Sequence, residues 1–102
     1  MHLVQILLPL YDNGGAAQPH ELFGAVTAEL TERFGGLTAF TRAPAEGLWK
    51  EGEGSARRDD VVVIEVMGEA LDRAWWRAYR RSLEERFRQE VVVVRANPVE
   101  ML

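Results

Sequence analysis

The chain has 102 residues, 47% of them hydrophobic, and its twelve Lys and Arg stand against sixteen Asp and Glu for a formal charge of −4. That length suits one domain, residues 1–102, with material for one core, and the acidic balance argues against a broad electrostatic hold on nucleic acid, which needs a basic surface. The absence of cysteine removes disulfides, thiolate metal sites, Fe–S clusters and Cys nucleophiles together.

His2 to Leu8 is rich in Leu, Ile and Val and is stopped by Pro9, which predicts a strand. The apolar run from Leu3 to Leu10 is about half the length of a membrane-spanning helix. It lacks the basic flank and cleavage site of a signal peptide, so the expectation is a cytoplasmic protein with no membrane partner. Asp12-Asn13-Gly14-Gly15 reads as a turn. Pro19 then suits the first turn of a helix, and Phe23, Val26, Leu30 and Phe34 recur as one helical stripe that ends at Gly35, a residue suited to a left-handed cap.

Gly36 to Arg42 predicts a second strand, interrupted by Pro44, with an extended stretch resuming at Glu46 to Lys50. The polar, Gly-rich segment Glu51 to Arg58 has nothing apolar to pack and is expected to be mobile, a lid near Trp49. Val61 to Met67 is the clearest strand, β-branched and closed by Gly68. A helix is predicted from Glu69 to Gln89, with Trp76, Tyr79, Leu83 and Phe87 on one stripe and Arg73, Arg77, Arg80, Arg81 and Arg88 along its flank. Val91 to Val94 reads as the last strand, with a polar exit from Arg95 to Pro98.

The order β-α-β-β-α-β, with an extra extended piece before the third main strand, predicts an α+β, ferredoxin-like fold: four antiparallel strands carrying both helices on one face. An antiparallel sheet with one wet face should alternate apolar and polar residues. These strands do not. Val4, Ile6 and Leu8 share one face of the first strand, yet Leu3 and Leu7 stand on the other; Val61, Val63 and Met67 repeat this in the third main strand, and Val91 and Val93 in the last. So large an apolar area marks a partner surface, and a second copy of the chain, sheet to sheet, is the economical partner.

A ferredoxin-like domain that pairs through its sheet resembles the dimeric α+β-barrel proteins. More narrowly, Arg33-Phe34-Gly35-Gly36-Leu37-Thr38, then Gly47-Leu48-Trp49, then a Gly-containing polar tip before a β-branched strand, is similar to a pattern in a family of small bacterial proteins of unknown function, over Thr31 to Val66. That resemblance implies a fold and no activity. The insertion Arg42-Ala43-Pro44-Ala45 and the run Arg57-Arg58-Asp59-Asp60 depart from it. Eleven Arg to a single Lys, Lys50, also fit the composition of a GC-rich bacterial genome.

Three polar residues, Gln5, Glu65 and Arg95, fall by strand parity on the open, otherwise apolar face. The plain expectation is a buried Glu65–Arg95 pair, within or across the dimer and completed by Gln5 at one end of the barrel, that sets dimer register. The sharper one makes Glu65 an acid or base in an apolar pocket. Trp49 and Trp75 are the candidate pocket aromatics, Trp75 because it stands about 100° from the core residue Trp76 on the helix. It is expected to meet the sheet edge, a loop or a ligand. His2 and His20 have nothing to bring them together as metal ligands, and no metal or cofactor is expected. Glu69 to Gln89 carries six basic and four acidic residues, a net of +2. Pairs Glu69–Arg73 and Glu84–Arg88 are expected along it, making it a solvated face rather than an RNA site. Function then reads as a homodimer with a binding or scaffolding role. The alternative is a cofactor-independent enzyme acting on a small apolar molecule within the barrel.

Overall fold

The computed structural model describes the backbone of residues 1–40, 47–51, 55–59 and 61–102, and the side chains outside residues 40–60. Its elements run β1 (His2–Pro9), α1 (His20–Phe34), β2 (Thr38–Phe40), β3 (Gly47–Glu51), β4 (Ser55–Asp59), β5 (Val61–Gly68), α2 (Arg73–Arg86) and β6 (Val93–Pro98). The main sheet has the order β2-β5-β1-β6, and every pair in it is antiparallel. This is the ferredoxin-like α+β arrangement.

The period of two along the strands does the sorting. Ile6 lies opposite Ile64 on one side and Val94 on the other. With Val4, Leu8, Val62 and Val66 it forms the floor of a core roofed by Val26 and Leu30 of α1 and Trp76, Tyr79 and Leu83 of α2. Phe87 and Val92 close the end of that core. Gln18 is the buried polar residue there, and its Nε2 donates to the Phe87 carbonyl at 2.9 Å. The turn after β1 is organised by Asp12, whose Oδ1 accepts the amides of Gly14 and Ala16, both at 2.9 Å.

Gly35 takes φ 83 just past α1, and its N–H returns to the Thr31 carbonyl at 2.8 Å. A residue with a Cβ would be strained in that left-handed cap.

The boundaries of α2 and of the last strand differ from the sequence expectation. Helix α2 begins at Arg73, not Glu69, because Asp72 is its N-cap: Oδ1 accepts the Trp75 amide at 3.1 Å. An Asp that can satisfy an orphan N–H favours starting the helix over lying inside it. At the other end Arg88 takes φ 54 and leaves the helix. The expected pairs Glu69–Arg73 and Glu84–Arg88 are therefore replaced by Arg80–Glu84 at 3.8 Å.

The last strand runs from Val93 to Pro98 rather than from Val91 to Val94. β1 starts at His2 and offers partners as far as Pro98, so Arg95, read as a polar exit, lies mid-strand. Val91 precedes the strand and is 72% exposed, while the Val92 amide donates to Glu84 Oε2 at 3.0 Å.

The extended stretch near Trp49 is one arm of a hairpin, with Trp49 opposite Arg57 and Glu51 opposite Ser55. The run through Arg57 and Arg58 is its second arm, a strand that the polar sequence did not announce. Of the segment Glu51 to Arg58 expected to be mobile, Glu51 and the residues from Ser55 on belong to this hairpin, while residues 52–54 lie outside the described residues, as do the insertion from Arg42 to Ala45 and the Trp49 side chain.

Candidate functional site

The open face is built from the odd-numbered residues of β1 and β5 and their neighbours. Leu3 lies opposite Met67, Leu7 opposite Val63, and Pro9 opposite Val61, with Val93 beside Leu7 on β6. Leu3, Leu7, Val61 and Val63 are half-buried within the subunit, while Met67 and Val93 are 48% and 43% exposed. The buried side chains of both helices belong to the core on the opposite side of the sheet.

One row across this face is polar. Thr38 lies opposite Glu65, Glu65 opposite Gln5, and Gln5 opposite Arg95. The structure thus brings the three expected residues together, in the middle of the sheet and not at one end, because Gln5 is mid-strand in β1, and adds Thr38, which could have been found only by knowing the β2 register. Gln5 Nε2 donates to Glu65 Oε2 at 2.8 Å, and Arg95 Nε donates to Gln5 Oε1 at 2.8 Å. Glu65 and Arg95 flank β1 on separate strands. The expectation of a direct pair within one subunit is corrected, because Gln5 stands between them.

Glu65 and Gln5 are half-buried and Arg95 is exposed. A carboxylate so placed can accept hydrogen bonds, balance a cation or exchange a proton with a molecule held against the face.

Trp75 is elsewhere. It belongs to an aromatic group joining the two helices, stacked on Tyr79 at 4.8 Å and edge-on to Phe34 at 5.5 Å. The Arg33 guanidinium lies 4.2 Å from its ring centroid. Its flank of α2 faces the end of α1, a helix contact that the sequence reading of a sheet edge, a loop or a ligand did not include. Beside this group, Glu29 Oε1 accepts from Tyr79 Oη at 2.8 Å and from Arg86 Nη1 at 2.7 Å. The Arg86 hydrogen bond holds the Glu29 carboxyl below its ordinary range despite partial burial. Burial, reinforced by Glu29, pushes the Tyr79 hydroxyl well up.

His2 falls by parity on the helix side of the sheet, away from Glu65, and its buried Nδ1 has no hydrogen-bond partner among the described residues. No group of three or more His, Asp or Glu among the described residues is placed to hold a metal ion. No helix among them is long and apolar enough to cross a membrane.

No family model matches the chain, and no curated protein matches it. The resemblance to a small bacterial family therefore rests on the fold and the short motif alone. Among solved structures the chain is similar to a phage SAM lyase in complex with S-methyl-5'-thioadenosine. The TM-score is 0.59 at 20% sequence identity, covering 94% of this chain and 79% of that chain. At that identity the likeness is one of fold.

Proposed function

We propose that two copies of this chain associate through their open sheet faces and act as a binding module, enclosing a small apolar molecule between the sheets. The observation that carries this reading is the field of Leu3, Leu7, Val61, Val63, Met67 and Val93 around a single polar row. Patches of this kind are covered by a partner in soluble proteins, and a copy of the same chain gives a closed, isologous contact.

The polar row supports a specific geometry. In a face-to-face pair the two-fold axis lies in the interface plane. An axis along β1 sets each Glu65 against the partner subunit's Arg95. An axis across the strands sets Glu65 against its own copy. The first is complementary in charge, so it is the arrangement we propose. The pair needs no cofactor, and its setting is the cytoplasm.

Light scattering at micromolar concentration tests this. The wild type is expected to be a dimer, and Val63→Glu, which puts a charge into the apolar field, a monomer or an aggregate. A monodisperse wild-type monomer would end the reading.

A second reading makes the enclosed space an active site with Glu65 as its acid or base. It is favoured by one ionisable carboxylate in an apolar field and by a fold that, in the phage protein, accompanies a lyase. S-adenosylmethionine is the probe, with S-methyl-5'-thioadenosine followed by chromatography. Turnover by the wild type that Glu65→Gln abolishes while leaving the dimer intact supports an enzyme. No turnover by the wild type removes this substrate.

A further inference from the structure

On the other side of the sheet, α2 and β6 leave a half-open cleft of about 220 Å³. Its apolar wall is Val4, Trp76 and Val94, and its rim is Arg73, Arg77 and Arg80 of α2, joined by Arg95 of β6, with no acidic residue among those lining it. The three arginines stand at i, i+4 and i+7 on α2, so they form one column along one flank of the helix. Arg80 Nε is buried and has no hydrogen-bond acceptor among the described residues. The Glu84 Oε2 atom lies 3.8 Å from it and accepts the Val92 amide at 3.0 Å instead.

A buried guanidinium N–H without an acceptor is uncommon, because guanidinium groups are strong, obligatory donors. Three guanidinium forks beside an apolar wall, two of them exposed, suit an oxyanion attached to a flat apolar body, since guanidinium matches phosphate geometry in a bidentate way. The net charge of −4 makes a general polyanion surface a poor account of the cleft, whose positive charge comes from this column and Arg95. The small volume favours one ring with one charged group over a nucleic acid or a dinucleotide.

We propose that the cleft between α2 and β6 binds a small phosphorylated aromatic molecule. The phosphate sits among Arg73, Arg77 and Arg80, and the ring lies on Trp76 and Val94. The site lies on the helix side of the sheet and shares Arg95 with the polar row of the open face.

Amide NMR of the full chain titrated with phenyl phosphate, inorganic phosphate and benzyl alcohol tests it. Phenyl phosphate is expected to give saturable shifts at Trp76, Arg77 and Val94. Inorganic phosphate should bind the same amides more weakly, and benzyl alcohol should not saturate. Arg77→Gln should weaken phenyl phosphate at least about tenfold, the loss of one charge-assisted contact. Arg73→Gln, on the same exposed flank, repeats the test should the first variant be unfolded by circular dichroism. The proposal is overturned by shifts that never saturate, by shifts spread over Arg33, Arg86 and Arg88 alike, or by an unchanged affinity in a folded Arg77→Gln variant. Inorganic phosphate binding as tightly as phenyl phosphate overturns it too, because the apolar wall would then take no part.

Discussion

Arg95 reaches Gln5 and not Glu65: its Nε donates to Gln5 Oε1 at 2.8 Å while the amide nitrogen of the same Gln5 donates to Glu65 Oε2 at 2.8 Å. The glutamine amide has one end that accepts and one that donates, so it is matched to a cation on one flank and an anion on the other. The row is left with negative charge over β5 and positive charge over β6. Two such rows, related by an axis along β1, present opposite charges to each other.

This makes charge reversal informative. Glu65→Arg alone and Arg95→Glu alone each set like charges across the proposed interface, where like-charge juxtaposition costs several kcal/mol. Either single change should weaken association by at least about a hundredfold, and the double reversal should recover most of it. Sedimentation equilibrium on the four proteins reads this directly. Singles that associate as tightly as the wild type, or a double that fails to recover, would reject the pairing.

Gln5→Leu probes the same row without changing charge. In a free subunit the two lost hydrogen bonds reach partly hydrated groups, and the cost should be about 1 kcal/mol. If the face is covered, the lost hydrogen bonds leave buried groups unsatisfied while Glu65 keeps the partner subunit's Arg95, and the cost should rise to about 2–3 kcal/mol. Urea unfolding at low and high protein concentration separates the two. A penalty that does not grow with concentration would mean that this face stays wet.

Asp72 carries two contacts, the cap to the Trp75 amide at 3.1 Å and a longer approach to Arg33 at 3.8 Å. Both side chains of the ion pair are substantially exposed, so the cap should dominate. Asp72→Ala should cost about 0.5–2 kcal/mol, and Asp72→Asn, which keeps an acceptor, only a fraction of that. Equal losses for the two variants in thermal unfolding would shift the weight to the Arg33 pair.

The parts of this fold that were legible are those where burial and period agree. Val62, Ile64 and Val66 alternate with Val61, Val63 and Met67, and that strand and its two faces follow from the pattern. Glycine and proline likewise punctuated α1, through Pro19 and Gly35. The hairpin arm from Ser55 to Asp59 was not legible, because Ser-Ala-Arg-Arg-Asp has no period-two apolar signal, and pairing with β3 sets its conformation. The start of α2 was not legible from periodicity, because the acceptor that fixes it, Asp72, sits among residues that read equally well as helix interior. For the polar row, parity placed Gln5, Glu65 and Arg95 on one face. Parity does not say which strand lies between which, so the mediating role of Gln5 needed the order β5-β1-β6.

The contact of Glu29 with Arg86 and Tyr79 ties α1 to α2 and should give the fold a defined pH window. Arg86 holds the Glu29 carboxyl below its ordinary range. A carboxyl lowered in the folded state stabilises above its unfolded value, about 4.3, and that stabilisation is lost as pH falls through the lower folded value. Burial and Glu29 together raise the Tyr79 hydroxyl. A raised group stabilises below its unfolded value, about 10 for tyrosine, and loses that stabilisation as pH rises through the folded value. The full contribution therefore lies between roughly pH 5 and 9. The Glu29 side chain is 42% exposed, so solvent screening limits the pair to about 1 kcal/mol or less. Glu29→Gln should lower the melting temperature by a few degrees at pH 7, less in high salt. Toward pH 3 the two proteins should converge, since the wild-type carboxyl is then taking up its proton. A gap as large at pH 3 as at pH 7 would show that Glu29 acts through the shape of its contacts and not through its charge.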